Sequence, residues 1–177
     1  GLTRDELQRT LAEERIAMKN HQSPPVTVLS CSDSRVPPEL LFDQTLGALF
    51  AIRTAGNIAD EYGIASIEYA ILNGWTKLIV ILGHEDCGAV KAALGGVDPP
   101  TPALNALVEQ IRGTFIGIAF DSRDGANFKR AIDTNTRASV AQLIASSAVM
   151  SHGVPARCTA MIARVRSVRA PAPLTTV

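Results

Sequence analysis

Cysteine is scarce, at 3 of 177 residues, and an odd number of them does not build a disulfide framework. Net charge is missing as well. Seventeen basic side chains against 17 acidic ones leave no field to recruit nucleic acid or an anionic membrane, and no basic run is interleaved with the few aromatics, 5% of the chain. No apolar run approaches the roughly 20 residues that a membrane helix needs. The first residues carry neither a signal-like charged start nor an apolar h-region, and no internal repeat is visible. What remains is ordinary globular composition, 46% hydrophobic and 19% charged, at a length that suits one domain with a full core. The expectation is a single soluble domain over residues 1–177 with no nucleic-acid or membrane partner.

Two short stretches hold most of the reactive side chains: Cys31-Ser32-Asp33-Ser34-Arg35 and Gly83-His84-Glu85-Asp86-Cys87-Gly88. Each follows a continuous β-branched run, Pro25 to Ser30 and Lys77 to Leu82, the pattern of strands buried on both faces of a parallel sheet. Cys31 and His84 therefore fall at strand carboxyl ends, where open α/β sheets place their ligands and where distant motifs converge. Two thiols and an imidazole make a zinc ligand set with an open fourth position. Thiolate ligands favour a reducing compartment, so a cytoplasmic location is expected. The helix dipole following Gly88, together with a metal's charge, favours the thiolate form of Cys87.

The remaining pattern fills in an α/β fold, a mostly parallel central sheet of about four strands flanked by helices. Thr3 and Glu6 form a capping box for a surface helix within Leu2 to Lys19. Val36-Pro37-Pro38-Glu39 opens a short helix through Phe42. Gly47 to Arg53 reads as the second strand, and Asp60 caps a helix to about Leu72 that Asn73-Gly74 stops. After a turn-rich loop, Gly95 to Pro100, helices are expected over about Leu104–Arg112 and Asn127–Val149. Composition changes near His152, and a fourth parallel strand is expected over Thr159–Val168 within an atypical tail of about residues 153–177.

Four ordered motifs, Cys31-x-Asp33-x-Arg35-Val36, Arg53-Thr54-Ala55-Gly56-Asn57, Ser66-Ile67-Glu68-Tyr69 and Gly83-His84-x-x-Cys87-Gly88-Ala89, strongly resemble the β-class carbonic anhydrases from about Val26 to about Met150. The resemblance implies a zinc enzyme that interconverts carbon dioxide and bicarbonate, with one Zn(2+) per chain held by Cys31, His84 and Cys87. It implies a homodimer or higher even oligomer, reached through an N-terminal helical arm of about residues 1–22. Asp33 and Arg35 become the catalytic dyad, a guanidinium clamping a carboxylate that accepts a proton from the reacting water. In family members that close, Asp33 itself becomes the fourth zinc ligand. Gln44 and Gly88 are assigned to substrate binding, Gln44 through a Phe42-Asp43-Gln44 stretch that resembles the family's amide at the dimer interface. Gly56 and Asn57 are turn formers first, and Glu85 and Asp86 helix N-terminal carboxylates.

The chain departs from the family in three places. The arm's Gly-Asn-x-Arg-Phe stretch is absent, and the final strand with its Tyr and Thr-Gly pattern is not found. The bicarbonate pocket of the closing members is represented by Arg53, but its Trp position holds Val28. A buried anion needs hydrogen-bond donors that this pocket would lack, so the open form is expected. Two alternatives remain at this level: a hydrolase of the same family acting on carbonyl sulfide or carbon disulfide, and a non-catalytic zinc-stabilised module closed by a fourth ligand such as Cys158. His21, His152 and Cys158 remain loose candidates, since each of them standing alone is more often a surface or core residue than a ligand.

Overall fold

A computed structural model describes residues 3–96, 99–119, 124–151 and 159–165. His152, Cys158 and the tail from residue 166 lie outside the described residues, as does the last part of the fourth strand expected over Thr159–Val168.

The chain alternates strands with helices, the order that gives a parallel sheet. α1 (Arg4–Ala17) is followed by β1 (Val26–Cys31), α2 (Pro38–Leu41), β2 (Leu49–Thr54), α3 (Glu61–Leu72) and β3 (Leu78–His84). Then come α4 (Gly88–Leu94), α5 (Pro102–Gly113), α6 (Gly125–Ser146), α7 (Ala148–Ser151) and β4 (Thr159–Val165). The four strands form one sheet in the order β2-β1-β3-β4, and all three pairings are parallel. The chain order reverses between β1 and β3, so the crevice at their carboxyl ends is the switch point. Cys31 ends β1 and His84 ends β3. β3 runs two residues beyond the expected Leu82 because Gly83 and His84 pair with Arg164 and Val165 of β4.

β1 and β3 are buried from their second residue onward, which is why their sequences show no polar alternation. On one face Leu29, Ile79 and Ile81 pack against Ile64, Ile67 and Ile71 of α3 and Leu143 of α6. On the other, Val28, Val80 and Leu82 meet Leu41 of α2. The capping box of α1 forms as expected, with Thr3 accepting from Glu6 N–H and the Glu6 carboxylate accepting from Thr3 N–H. The expected helix over Asn127–Val149 is broken at Ser147. Its Oγ donates to Glu68 Oε1 at 2.7 Å and accepts from Met150 N–H at 3.1 Å, so a tie to α3 replaces the next helical turn.

α6 crosses β3 at Gly83, where a Cβ would run into Thr136 Oγ1. That hydroxyl donates to Ile132 O at 2.8 Å and is not free to swing away. Gly83→Ala is therefore expected to destabilise the fold by about 1–3 kcal/mol. Gly113→Ala, where a Cβ meets nothing within 4 Å, is the control and gains up to about 1 kcal/mol from helix propensity. Equal denaturant midpoints for the two variants would contradict this packing.

Candidate metal centre

The β1 and β3 ends and the turn into α4 bring Cys31, His84 and Cys87 together. One ligand atom from each lies within 4.8 Å of the others, and all three residues are buried. The two sulfurs are 4.0 Å apart. His84 Nδ1 bonds to Glu85 O at 2.9 Å. A carbonyl only accepts, so in the neutral ring Nδ1 carries the proton and Nε2 keeps its lone pair. Nε2 is buried without a hydrogen-bond partner. A buried, unpartnered imidazole nitrogen facing two sulfurs is what a soft or borderline cation requires, and zinc fits this donor set. Among the described residues the cluster consists of these three alone.

The sulfurs are not equivalent. The bond from the Cys87 thiol, helped by backbone N–H groups, pulls Cys31 down against the opposing effect of burial. Cys87 is pushed up, first by its bond to the Cys31 thiolate and then by burial. The amides of Ala89 and Val90 at the start of α4 pull Cys87 downward but are outweighed. The start of α4 thus favours the Cys87 thiolate as expected, and in the chain alone the neighbouring sulfur and burial oppose it. A cation entering between sulfurs 4.0 Å apart draws both toward the thiolate form and displaces the proton they hold.

Asp33 and Arg35 form a fork at the rim. Arg35 donates its backbone N–H and Nε to Asp33 Oδ1, both at 2.9 Å, and Nη2 to Oδ2 at 2.6 Å. These bonds hold the Asp33 carboxyl well below the usual carboxylate range. Oδ1 has two donors; Oδ2 has one and faces the cluster, 4.0 Å from His84 Nε2. Asp86, expected only as a helix-terminal carboxylate, has a second part here. It takes a left-handed φ of 55°, and its backbone oxygen accepts from Arg35 Nη2 at 3.0 Å. Nothing in a one-dimensional pattern marks a main-chain acceptor of this kind.

Arg53 gives two of its five N–H groups to the main chain. Its Nε donates to Cys31 O at 3.1 Å and its Nη2 to Asp33 O at 2.6 Å, so its guanidinium braces the Cys31–Asp33 backbone. Gly56 and Asn57 are turn formers as expected, with φ of 76° and 46°. Gly56 adds a contact not read from sequence, an N–H bond to Cys31 Sγ at 3.3 Å. Gly88 opens α4 beside Cys87, and a Cβ there would meet nothing within 4 Å.

Gln44 is not brought to the cluster by its own chain. It is exposed, donates to the carbonyls of Phe42 and Asp43, and lines a largely apolar cavity of about 350 Å³ with Pro25, Val26, Leu49 and Leu78. Those residues start or precede the strands, and five strand rises of about 3.3 Å separate Val26 from Cys31. His21 is exposed and outside the cluster.

Comparison with known proteins agrees with this geometry. The family model described as carbonic anhydrase matches residues 26–167. A carbonic anhydrase of Mycolicibacterium smegmatis is 44% identical over 102 residues, covering 56% of this chain and 50% of the relative. Carbonic anhydrase 2 of Mycobacterium tuberculosis is 32% identical over 151 residues, covering 85% of this chain and 73% of that one. The chain thus spans half the length of the first relative and about three quarters of the second. The solved β-carbonic anhydrase CcaA superposes with a TM-score of 0.77 at 24% identity, covering 92% of this chain and 78% of that one, which is a likeness of fold. Because the matched span holds all three cluster residues together with Asp33 and Arg35, on the parallel sheet that positions them, the chain belongs to the β-class carbonic anhydrase family.

Proposed function

We propose that this protein catalyses the reversible hydration of carbon dioxide to bicarbonate, as a zinc-dependent carbonate dehydratase. The observation that carries the reading is the Asp33–Arg35 fork set beside the buried trio, with Asp33 Oδ2 turned toward His84 Nε2. Cys31, His84 and Cys87 would hold one zinc ion, which when bound supplies a Lewis acid that makes water a competent nucleophile near neutral pH.

The chain's own groups do the rest. Asp33 Oδ2, with acceptor capacity left over, orients the attacking water by taking a hydrogen bond from it. Arg35 keeps that carboxylate ionised and fixes its direction. A proton arriving on so weak a base leaves again quickly, so Asp33 relays protons and does not store them. Arg53 holds the backbone from which Asp33 projects. Gly88 leaves space beside Cys87 for a small linear substrate.

Gln44 lies away from its own cluster and beside exposed Leu40, Phe42 and Leu46. This arrangement supports a homodimer or higher even oligomer in which Gln44 serves a substrate pocket at the interface, with α1 contributing to assembly. Light scattering on active protein is expected to give an even oligomer, and an active monomer would contradict it.

With Asp33 bonded to Arg35 and buried Val28 offering no polar donor, the site is proposed to work in the open form. Hydration is expected to follow hyperbolic kinetics around neutral pH. Sigmoidal inhibition by bicarbonate would contradict that. The reaction itself is tested by stopped-flow assays of carbon dioxide hydration and carbonyl sulfide hydrolysis on the same zinc-loaded sample. Faster turnover of carbon dioxide supports the proposal, and exclusive hydrolysis of carbonyl sulfide overturns it.

A further inference from the structure

Asn135 has no part in the mechanism above, yet it is a polar residue buried completely. It lies on α6, is 0% exposed, and donates Nδ2 to the Gly56 carbonyl at 2.7 Å, across 79 positions of sequence. Gly56 in turn gives its N–H to Cys31 Sγ at 3.3 Å. The Gly56 turn is enclosed on its other sides. A Cβ on Gly56 would lie 2.7 Å from Ile111 Cδ1 of α5 and 3.2 Å from Ala89 Cβ of α4. The turn also places two successive residues, Gly56 and Asn57, in the left-handed region, which these two residue types tolerate.

A purely structural account of Asn135 is unsatisfactory. Its Oδ1 is buried with no hydrogen-bond partner, and burying an unpaired acceptor is costly. A leucine of similar size would remove that cost but leave the Gly56 carbonyl without its donor. What leucine could not supply is the bond to Gly56.

We infer that Asn135 is a positioning residue of the metal centre: by holding Gly56 in its turn, it keeps the Gly56 N–H on the Cys31 sulfur. The inference rests on the metal-centre reading. An N–H donor to a thiolate draws charge from the sulfur and leaves a bound cation more electron-poor. Two thiolates otherwise cancel much of a divalent charge, so this bond counters their effect on the cation's acidity. Positioning contacts of this kind belong to the ligand set as much as the ligands do.

The test replaces zinc by cobalt(II) in the full-length protein and in Asn135→Leu, Asn135→Asp and Ser139→Ala. Ser139 donates only along α6, to Asn135 O, and serves as the control for helix packing. Loss of the N–H bond raises the energy of the sulfur lone pairs. The thiolate-to-cobalt absorption is therefore expected to move to longer wavelength in both Asn135 variants and to stay in place in Ser139→Ala. In the zinc forms, the pH of half-maximal hydration rate is expected to move upward in the Asn135 variants alone. A second measurement needs no variant. In the parent protein loaded with NMR-active cadmium, the Gly56 amide proton is expected to show scalar coupling to the metal through Cys31 Sγ. Absent coupling, or an unshifted band and pH profile in Asn135→Leu, overturns the relay alone. A parent protein that takes up no cobalt overturns the metal centre and the relay with it.

Discussion

Cys31→Ser, His84→Ala and Cys87→Ser are each expected to leave the protein without its metal, against about one zinc per chain in the parent, and to reduce carbon dioxide hydration to the uncatalysed rate. The cause is the size of the donor set. The described cluster holds three ligand atoms, and removing one leaves two, too few for a tetrahedral zinc site. Either serine replaces one of the two sulfurs with an oxygen that zinc binds far less readily. Circular dichroism shows whether the fold persists, and metal content measured by atomic emission decides the matter. Full zinc retention in any of the three removes that residue from the ligand set.

Asp33→Asn is expected to keep its zinc and lose turnover, with kcat/KM falling by about 10²–10⁴-fold, the range for a group that handles a proton in the reaction. The amide still fills the space of the carboxylate, but it has lost the charge that Arg35 clamps through Oδ1 and Oδ2. Arg35→Lys is expected to be intermediate, because a point charge cannot reproduce the fork. The pH dependence has a definite sign. The folded Asp33 carboxyl titrates below its unfolded value, so the ion pair's stabilisation is present above about pH 3.9. It is lost as pH falls through the lower folded value. The acid limb of activity is therefore expected above the range where Asp33 titrates, and to be set by another group. A rate profile falling with an apparent pKa near 4 in the parent, and not in Asp33→Asn, would contradict the clamp.

Much of the site was legible because it is local. Cys31 and Asp33 share one turn, His84 and Cys87 another, and the apolar runs before them identify buried strands whose ends must meet at the switch point. The Asp60 cap, the Thr3 capping box and the parallel strand from Thr159 follow from equally short-range rules. The sequence reading failed where the deciding partner is far away or belongs to the main chain. Arg53 matches a pocket position by resemblance, but its bonds to two backbone carbonyls have no side-chain signature. Ser147 reads as helix interior because its partner, Glu68, lies on another helix. Asn135 looks like one more polar residue in a long helix until α6 is folded over the Gly56 turn. The ionisation order of the two sulfurs depends on their 4.0 Å separation, which no spacing rule gives.

Zinc K-edge absorption on the zinc-loaded protein at neutral pH tests the central claim most directly, since it counts the sulfurs around the metal. An open centre held by Cys31, His84 and Cys87 predicts two sulfurs at about 2.3 Å and two lighter atoms at about 2.0–2.1 Å. A third sulfur in the shell would make the site a closed structural one with a ligand such as Cys158, and a shell without sulfur would place the zinc elsewhere.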